Sequence, residues 1–330
     1  MPLRHPATLD EFRALFTESP DPAQRPHVAT SLTYRRAMRE LAAHLGCEPT
    51  EQAVFERRLA SDPEEWASSL LRATRTEWLL VDDGYPAPGA GQSWERMGEL
   101  AGCRSLPVMR LERVAEEAQG DFLEHVRGEV AAARSRGFAA LKTVAAYRGG
   151  LDLDALPPAA RTNRLEGPLV RDVLLAALEA NEATGDPLPV QVHAGFGDSD
   201  IHMPRADPGY LKPVFERFRD TPFVLLHCYP FVREAGWLAH VYGHVHFDLS
   251  LTIPHVSRGA EMVRQALELA PVSKLVYASD AVCPELYFLA ARWWREALAE
   301  VLAEALPPGE AEEAGRAILR ENALHLYGLS

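Results

Sequence analysis

Two histidines and an aspartate each stand at the end of a short apolar segment. His193 ends LPVQVHA, His227 ends PFVLLHC and Asp280 ends KLVYASD. Two imidazoles and a carboxylate are typical ligands of a catalytic zinc, or of a similar divalent ion with an open coordination position. One such histidine is more often a structural residue, but the ordered set of three is much more specific. The pattern therefore predicts a metal site.

Lys142 ends a fourth apolar segment, GFAALKT. A lysine there is costly to bury unless it is paired, deprotonated or modified. One interpretation is a cation that binds substrate, or a carboxylated lysine that bridges two metal ions. The other is an ion pair with Asp83 or Glu112. The sequence leaves these alternatives open.

Seven apolar segments with amphipathic helices between them predict parallel strands. They are 77–83, 106–112, 137–143, 188–194, 222–228, 245–250 and 274–280. Each ends in a polar or ionisable residue, and such ends converge on the active-site face of a (β/α)₈ barrel. A doubly wound open sheet usually places its ligands at one switch point instead. The sequence therefore predicts an α/β protein with a (β/α)₈ TIM barrel.

Eight strands close such a barrel, so one strand is missing from this count. Residues 8–75 read as helical: Thr30 or Ser31 can cap a helix that Gly46 ends, and Asp62-Pro63 opens another. The simplest account is that the first strand lies upstream of Met1. Residues 8–75 would then be a helical insertion, and 1–330 would form a single barrel domain.

Seven ordered motifs, spread over nearly the whole chain, carry a family resemblance. They are TSLTYRRAMRELAAHLGC at 30–47, LLVDDGY at 79–85, GFAALKTVAAYRGGL at 137–151, VQVHAGFGDSDI at 190–201, FVLLHCYPFVREAGWLA at 223–239, VHFDLSLTIPHVSRG at 245–259 and SKLVYASDAVCPE at 273–285. With them the chain resembles the amidohydrolase 2 group of the amidohydrolase superfamily. The resemblance is closest to FluG-type domains, which occur alone or fused to glutamine-synthetase-like domains.

The resemblance implies roles for the matched residues. His193 would be a metal ligand, and His227 a second ligand or the acid/base that orients the attacking water. Asp280 would bind the metal, most simply one or two zinc ions, and take the proton from that water, which the metal acidifies. Four residues just beyond the strands would contact the substrate: Arg148, Asp198, Asp200 and Arg233.

The chain departs from the family at its start. The family's first strand ends in H-x-H, whose histidines bind metal, and His5 alone cannot replace that pair. His244 and His246 have the right spacing, but they open a segment whose active-site end is Asp248. They are therefore expected at the opposite face of the barrel. The metal site of this chain is expected to be incomplete.

Three functions remain open at this point. The first is metal-dependent hydrolysis of a C–N bond, with a γ-glutamyl amide as the substrate class that the glutamine-synthetase association implies. The second is non-oxidative decarboxylation, in which His227 would protonate the carbon left behind. The third is a catalytically silent barrel, which the absent H-x-H pair favours. Fold alone does not decide between them.

The composition of the chain argues against some classes of binding partner. The formal net charge of −13 argues against binding to nucleic acid or to an anionic membrane. Four cysteines without C-x-x-C spacing indicate a reducing compartment, and the amino-terminal residues lack an apolar signal region. We therefore expect a cytoplasmic enzyme that acts on a small molecule. The only ground for expecting a homo-oligomer is that such assemblies are common among soluble proteins.

Overall fold

A six-stranded parallel sheet forms the centre of the protein. The computed structural model describes residues 1, 3–84, 91–155, 165 and 167–329. The strands neighbour one another in chain order, and they are β1 Trp78–Val81, β2 Arg104–Arg110, β3 Ala140–Thr143, β4 Val190–Ala194, β5 Phe223–His227 and β6 Val245–Phe247. Consecutive parallel strands joined by helices are the arrangement that the apolar segments predict.

The helices connect and flank these strands. The α-helices are α1 Leu9–Ala14, α2 Arg25–Val28, α3 Leu32–Leu45, α4 Glu51–Leu59, α5 Pro63–Ala73, α6 Trp94–Ala101, α7 Leu111–Glu116, α8 Phe122–Ala132, α9 Pro168–Ala183, α10 Lys212–Arg217, α11 Val232–Val241, α12 Thr252–His255, α13 Gly259–Leu267, α14 Pro284–Ala305, α15 Pro308–Arg316 and α16 Asn322–Tyr327. Short 3₁₀ turns and one π-helical segment, Ala317–Glu321, complete the secondary structure of the described residues. Among the described residues, no helix is long and apolar enough to cross a membrane.

The seventh predicted strand, 274–280, is wrong as a regular strand. Leu275 forms a single parallel bridge with Phe247, and the amide of Val276 donates to the Phe247 carbonyl at 3.0 Å. The next amide, that of Tyr277, donates to the carbonyl of Ile318 at 3.0 Å instead. The segment therefore leaves the sheet after one bridge because the carboxyl-terminal helical region takes its hydrogen bonds.

Three predicted strands also end two or three residues earlier than expected, and the first of them, predicted at 77–83, ends at Val81. The strand predicted at 106–112 ends at Arg110, because Leu111–Glu116 is helical. The one predicted at 245–250 ends at Phe247, and the next residue, Asp248, accepts hydrogen bonds through its side chain. The predictions for 106–112 and 245–250 extended an apolar run too far. The last residues of each run have polar groups that are used outside the sheet.

The predicted helix boundaries in the amino-terminal region are confirmed. Ser31 accepts a hydrogen bond from the amide of Tyr34, and Gly46 ends α3 with a left-handed φ of 65°. Asp62 caps α5 by accepting from two amides of its first turn. Such caps satisfy amides and carbonyls that the helix itself leaves unpaired. The buried faces of these helices pack into the main hydrophobic core.

A buried ion pair fastens the amino-terminal helices to α14. Arg58 of α4 contacts Glu285, and the side chains are 5% and 0% exposed. The indole Nε1 of Trp66 donates to the same carboxylate at 2.8 Å, and an Arg58 nitrogen donates to the carbonyl of Arg4. Because neither charge reaches water, each depends on the other for its solvation.

Removing one member of this pair is expected to destabilise the fold strongly. Glu285→Ala leaves the Arg58 guanidinium buried and unpaired, which costs about 3–5 kcal/mol of unfolding free energy. Urea unfolding followed by circular dichroism measures this loss. The matched control is Glu117→Ala, which removes an exposed pair with Arg113 and is expected to cost less than about 1 kcal/mol. Equal losses in the two variants would contradict the assigned role.

Candidate active site

Four of the residues singled out in the sequence meet at the carboxyl end of the sheet. His227 Nε2 lies 3.0 Å from His193 Nδ1 and 3.6 Å from a carboxylate oxygen of Asp280. Lys142 Nζ lies 4.0 Å from the other oxygen of Asp280. The segments that carry these side chains are far apart in sequence, and the parallel sheet brings their ends together.

A chain of hydrogen bonds orients both imidazole rings. The Ser250 hydroxyl donates to Asp248 Oδ1 at 2.7 Å, so its oxygen is left to accept from His227 Nδ1, also at 2.7 Å. With Nδ1 protonated, His227 Nε2 accepts from Nδ1 of His193. The remaining nitrogen, His193 Nε2, is then unprotonated. It is buried and has no hydrogen-bond partner among the described residues.

Both rings are neutral at neutral pH. Burial, and after it the neighbouring His227, hold the pKa of His193 well below its ordinary value. Burial and then the charge of Lys142 do the same to the pKa of His227. A neutral imidazole with a free lone pair is the form that binds a metal ion or accepts a proton.

The backbone at the site adopts conformations that non-glycine residues avoid. The φ angles of His227, Cys228 and Asp280 are 68°, 63° and 45°. Each costs on the order of 1–3 kcal/mol and persists only where the surroundings hold it. At His227 the surroundings are visible: its amide donates to Asp248 at 2.8 Å, and its carbonyl accepts from Thr252 Oγ1 at 2.7 Å.

Lys142 takes part in an ion-pair network at the base of the site. Its Nζ lies 3.2 Å from Asp82, which also accepts from Arg110, and both Lys142 and Asp82 are nearly buried. Burial alone would raise the pKa of Asp82, but the charges of Lys142 and Arg110 outweigh it and lower that pKa. The Nζ atom of Lys142 thus lies near two carboxylates, those of Asp82 and Asp280.

The partners predicted for Lys142 were wrong. Asp83 accepts instead from the amide of Trp94 at the start of α6. Glu112 lies on α7, where it accepts from the hydroxyl of Thr143 and the amide of Val144. It therefore anchors the end of β3 from outside the site. Asp82, one residue before the predicted Asp83, is the carboxylate that pairs with Lys142.

The four predicted substrate contacts are spread more widely. Asp198 lines the cavity at the site, and its carboxylate accepts from the amide of Asp200 at 2.9 Å. Arg148 lies 3.3 Å from Glu116, and Arg233 is exposed on α11 at 2.9 Å from Glu268. Neither arginine is part of the cavity wall. Their roles in substrate binding stay predictions.

His244 and His246 lie where the sequence predicted, away from the site. The carbonyl of His244 pairs with the amide of Phe223, the first residue of β5. That contact is at the amino end of the strands, whereas His227 and Asp248 follow their carboxyl ends. The one H-x-H spacing in the chain is therefore not a source of metal ligands for this site.

The residues present do not form a metal centre by themselves. His193 offers a free nitrogen, but His227 Nε2 is already bonded to His193 and Asp280 faces Lys142. Within the described part of the chain, no group of three or more His, Cys, Asp or Glu residues is arranged to hold a metal ion.

A cavity of about 1370 Å³ adjoins the site. Asp82, Lys142, His227 and Asp280 lie on its wall. Its remaining wall is mostly apolar and runs between β1 on one side and residues 276–282 on the other. Asp280 is thus accessible from the cavity, with a side chain that is 39% exposed.

Sequence and structure comparisons relate this site to known proteins. Residues 112–329 match the family described as Amidohydrolase. Protein fluG of Emericella nidulans is 34% identical over 219 residues, which cover 57% of this chain and 25% of that protein. The chain thus spans about a quarter of the length of this relative.

Two solved structures extend the comparison to the whole fold. A provisionally assigned metal-dependent hydrolase from Lactobacillus casei is 26% identical, with a TM-score of 0.85 over 99% of this chain and 92% of that one. An uncharacterised TIM-barrel protein from Bordetella bronchiseptica is 17% identical, with a TM-score of 0.52 over 90% and 92% of the two chains. The second likeness shows the fold alone, and that fold is the predicted barrel type.

The titration of Asp248 gives a pH test of the hydrogen-bonded chain. Burial raises the pKa of Asp248 to about 6 from an ordinary value of 3.8. The folded state therefore holds this proton more tightly than the unfolded state. The resulting stability is present below pH 4 and is lost as the pH rises through 6.

Asp248→Asn is expected to remove that pH dependence. Between pH 4 and pH 7 the wild-type protein should lose about 3 kcal/mol relative to the variant, because two pKa units correspond to that difference. Urea unfolding of both proteins across this range measures it. If the stability difference between the two proteins stays constant with pH, Asp248 does not titrate as the structure indicates.

Proposed function

The chain belongs to the amidohydrolase family, and on that basis we propose that it is a metal-dependent hydrolase that cleaves a C–N bond. The observation that carries this proposal is the convergence of His193, His227, Lys142 and Asp280 at one end of a parallel sheet. We propose γ-glutamyl amides as the substrate class, on the resemblance to FluG-type domains, and zinc as the metal.

A further strand is needed to complete the site, and we propose that it fills the cavity between β1 and residues 276–280. Among the described residues, β1 pairs with β2 alone, while Leu275 bridges to β6 on its other side. Both facing edges lie on the cavity wall. Six strands and the Leu275 segment occupy seven positions, and an eight-stranded barrel has one more.

Met1 lies at the edge of this cavity. Met1 lies on the cavity wall and packs against the same hydrophobic cluster as Val81 and Ala281. Its amino nitrogen approaches Gly91, which follows the carboxyl end of β1. A parallel strand that runs through the cavity would finish at this edge and continue directly into Met1. Metal ligands at its end would stand beside Asp280.

The described residues themselves can supply proton transfer and charge. The Asp280 carboxylate faces the cavity and can accept a proton from a water molecule bound there. The Lys142 ammonium, 4.0 Å from Asp280, places a positive charge beside the position where negative charge develops on a carbonyl oxygen. The proton that Asp280 takes from the water is the one that the leaving nitrogen needs. Asp280 can return it, and His227 Nε2, 3.6 Å from Asp280, can relay it.

Loss of the Asp280 charge is expected to abolish most of the activity. The chain, extended ahead of Met1 by a strand that ends in H-x-H, is assayed with a panel of γ-glutamyl amides by release of amine or ammonia. Asp280→Asn should lower kcat/KM by about 10²- to 10⁴-fold, because the base for the attacking water is gone. Asp220→Asn changes an exposed aspartate at the amino end of β5 and is the matched control.

Two outcomes would contradict the proposal. Release of carbon dioxide from carboxylate substrates, with no release of amine or ammonia, would identify a decarboxylase. Equal activity of Asp280→Asn and Asp220→Asn would remove Asp280 from the chemistry. The 39% exposure of the Asp280 side chain makes a folding defect of the variant unexpected, and circular dichroism checks this.

A further inference from the structure

Glu18 is an acidic residue of the cavity wall that comes from the amino-terminal helical region. It lies in the connection between α1 and the 3₁₀ turn Pro22–Gln24, far from any strand in sequence. It nevertheless shares the cavity wall with Asp198, which follows β4, and with Asp280. No sequence pattern singled it out, because the residues around it have no strand or motif to place them.

His255 faces Glu18 with an unused nitrogen. Nδ1 of His255 lies 2.8 Å from the carbonyl oxygen of Leu251 and must donate to it. In the neutral ring Nε2 is therefore an acceptor, and it is buried without a hydrogen-bond partner among the described residues. The nearest polar atom that the structure gives it is Oε1 of Glu18, at 3.8 Å. When Glu18 is ionised, as it is above pH 7, two acceptors thus face each other with no donor between them.

The charges around this pair are negative. Burial, and then the charges of Asp280 and Asp198, raise the pKa of Glu18 to about 7. Burial lowers the pKa of His255, so the imidazole does not supply the missing positive charge. Among the described residues, His255 is the one ion-pair candidate within 4.0 Å of Glu18. A positively charged donor would satisfy Glu18 and His255 together.

We propose that Glu18, His255 and Asp198 form a subsite for an ammonium group of the substrate. One N–H of the ammonium would point to Glu18 and another to His255 Nε2, with Asp198 adding negative charge. The inference rests on the proposed function and sharpens it: the substrates are amides whose amine portion carries a second, positively charged nitrogen. A substrate with a neutral amine portion leaves Glu18 and His255 without a positively charged hydrogen-bond donor.

An ammonium fits this subsite better than a metal ion does. Zinc and calcium ions are typically held by three or more protein donors around one point, and the described residues contain no such group. An ammonium has several N–H donors and is satisfied by two or three acceptors. The Phe196 ring, 5.5 Å from the His255 ring, forms an apolar side to the subsite.

Binding of a diamine tests the subsite without any turnover. Diaminobutane is titrated calorimetrically into the protein at low ionic strength, with butanediol as the uncharged match of equal length. Diaminobutane should bind and butanediol should not. Glu18→Gln should weaken diaminobutane binding roughly tenfold, because a charge-assisted hydrogen bond is replaced by a neutral one. Glu18→Asp should retain part of the affinity.

The control variant is Glu124→Gln, which removes an exposed carboxylate on α8, off the cavity wall. It should bind diaminobutane as the wild type does, and thermal unfolding verifies that each variant is folded. Equal affinity of wild type and Glu18→Gln, or no diamine binding at all, would overturn the subsite. Tighter binding of Mn²⁺ than of diaminobutane, lost in Glu18→Gln, would also overturn it in favour of a metal site.

The result is independent of the proposed reaction. Diamine binding that depends on Glu18, in a protein that hydrolyses no amide, would support the subsite and contradict the hydrolase proposal. Hydrolysis of amides with neutral amine portions at the same kcat/KM as of their diamine counterparts would support the hydrolase and overturn the subsite.

Discussion

The hydrogen-bonded chain from Asp248 through Ser250 and His227 to His193 is the constraint on which the site depends. Asp248 accepts from the backbone amide of His227 as well as from Ser250, so one carboxylate fixes both the backbone and the ring of that histidine. The left-handed conformation of His227 is held by the same contacts. Asp248 thus fixes the Ser250 hydroxyl, and through it the protonation pattern of two rings whose nitrogens lie 3.0 Å apart.

These hydrogen bonds leave one imidazole nitrogen of the site free. The positive and negative charges of the site lie next to one another. His193 Nε2 has no partner among the described residues, whereas Lys142 is held between Asp82 and Asp280. Such an arrangement can transfer protons, but within the described part of the chain it does not provide three donors for a metal ion. The mostly apolar cavity beside β1 is the place from which those donors could come.

Much of this arrangement could be predicted from the sequence because parallel strands buried on both faces read as apolar runs. Their carboxyl ends meet, so the sequence alone was enough to group His193, His227 and Asp280. The partner of Lys142 could not be predicted, because a shift of one residue at a strand end separates Asp82 from Asp83. The segment after Leu275 has the pattern of a strand, but the amide of Tyr277 donates to Ile318 in the carboxyl-terminal region and not to the sheet. Glu18 could not be found, since only tertiary packing brings it to the cavity.

Metal content compared between two lengths of the chain tests the central claim most directly. Residues 1–330, and the same chain extended ahead of Met1 by a strand that ends in H-x-H, are refolded with zinc or manganese, dialysed and measured by elemental analysis. Stoichiometric metal in the extended chain and little in residues 1–330 is the predicted result. If neither protein retains metal, the site is not a metal centre that a further strand completes. The proposal of a metal-dependent hydrolase then fails.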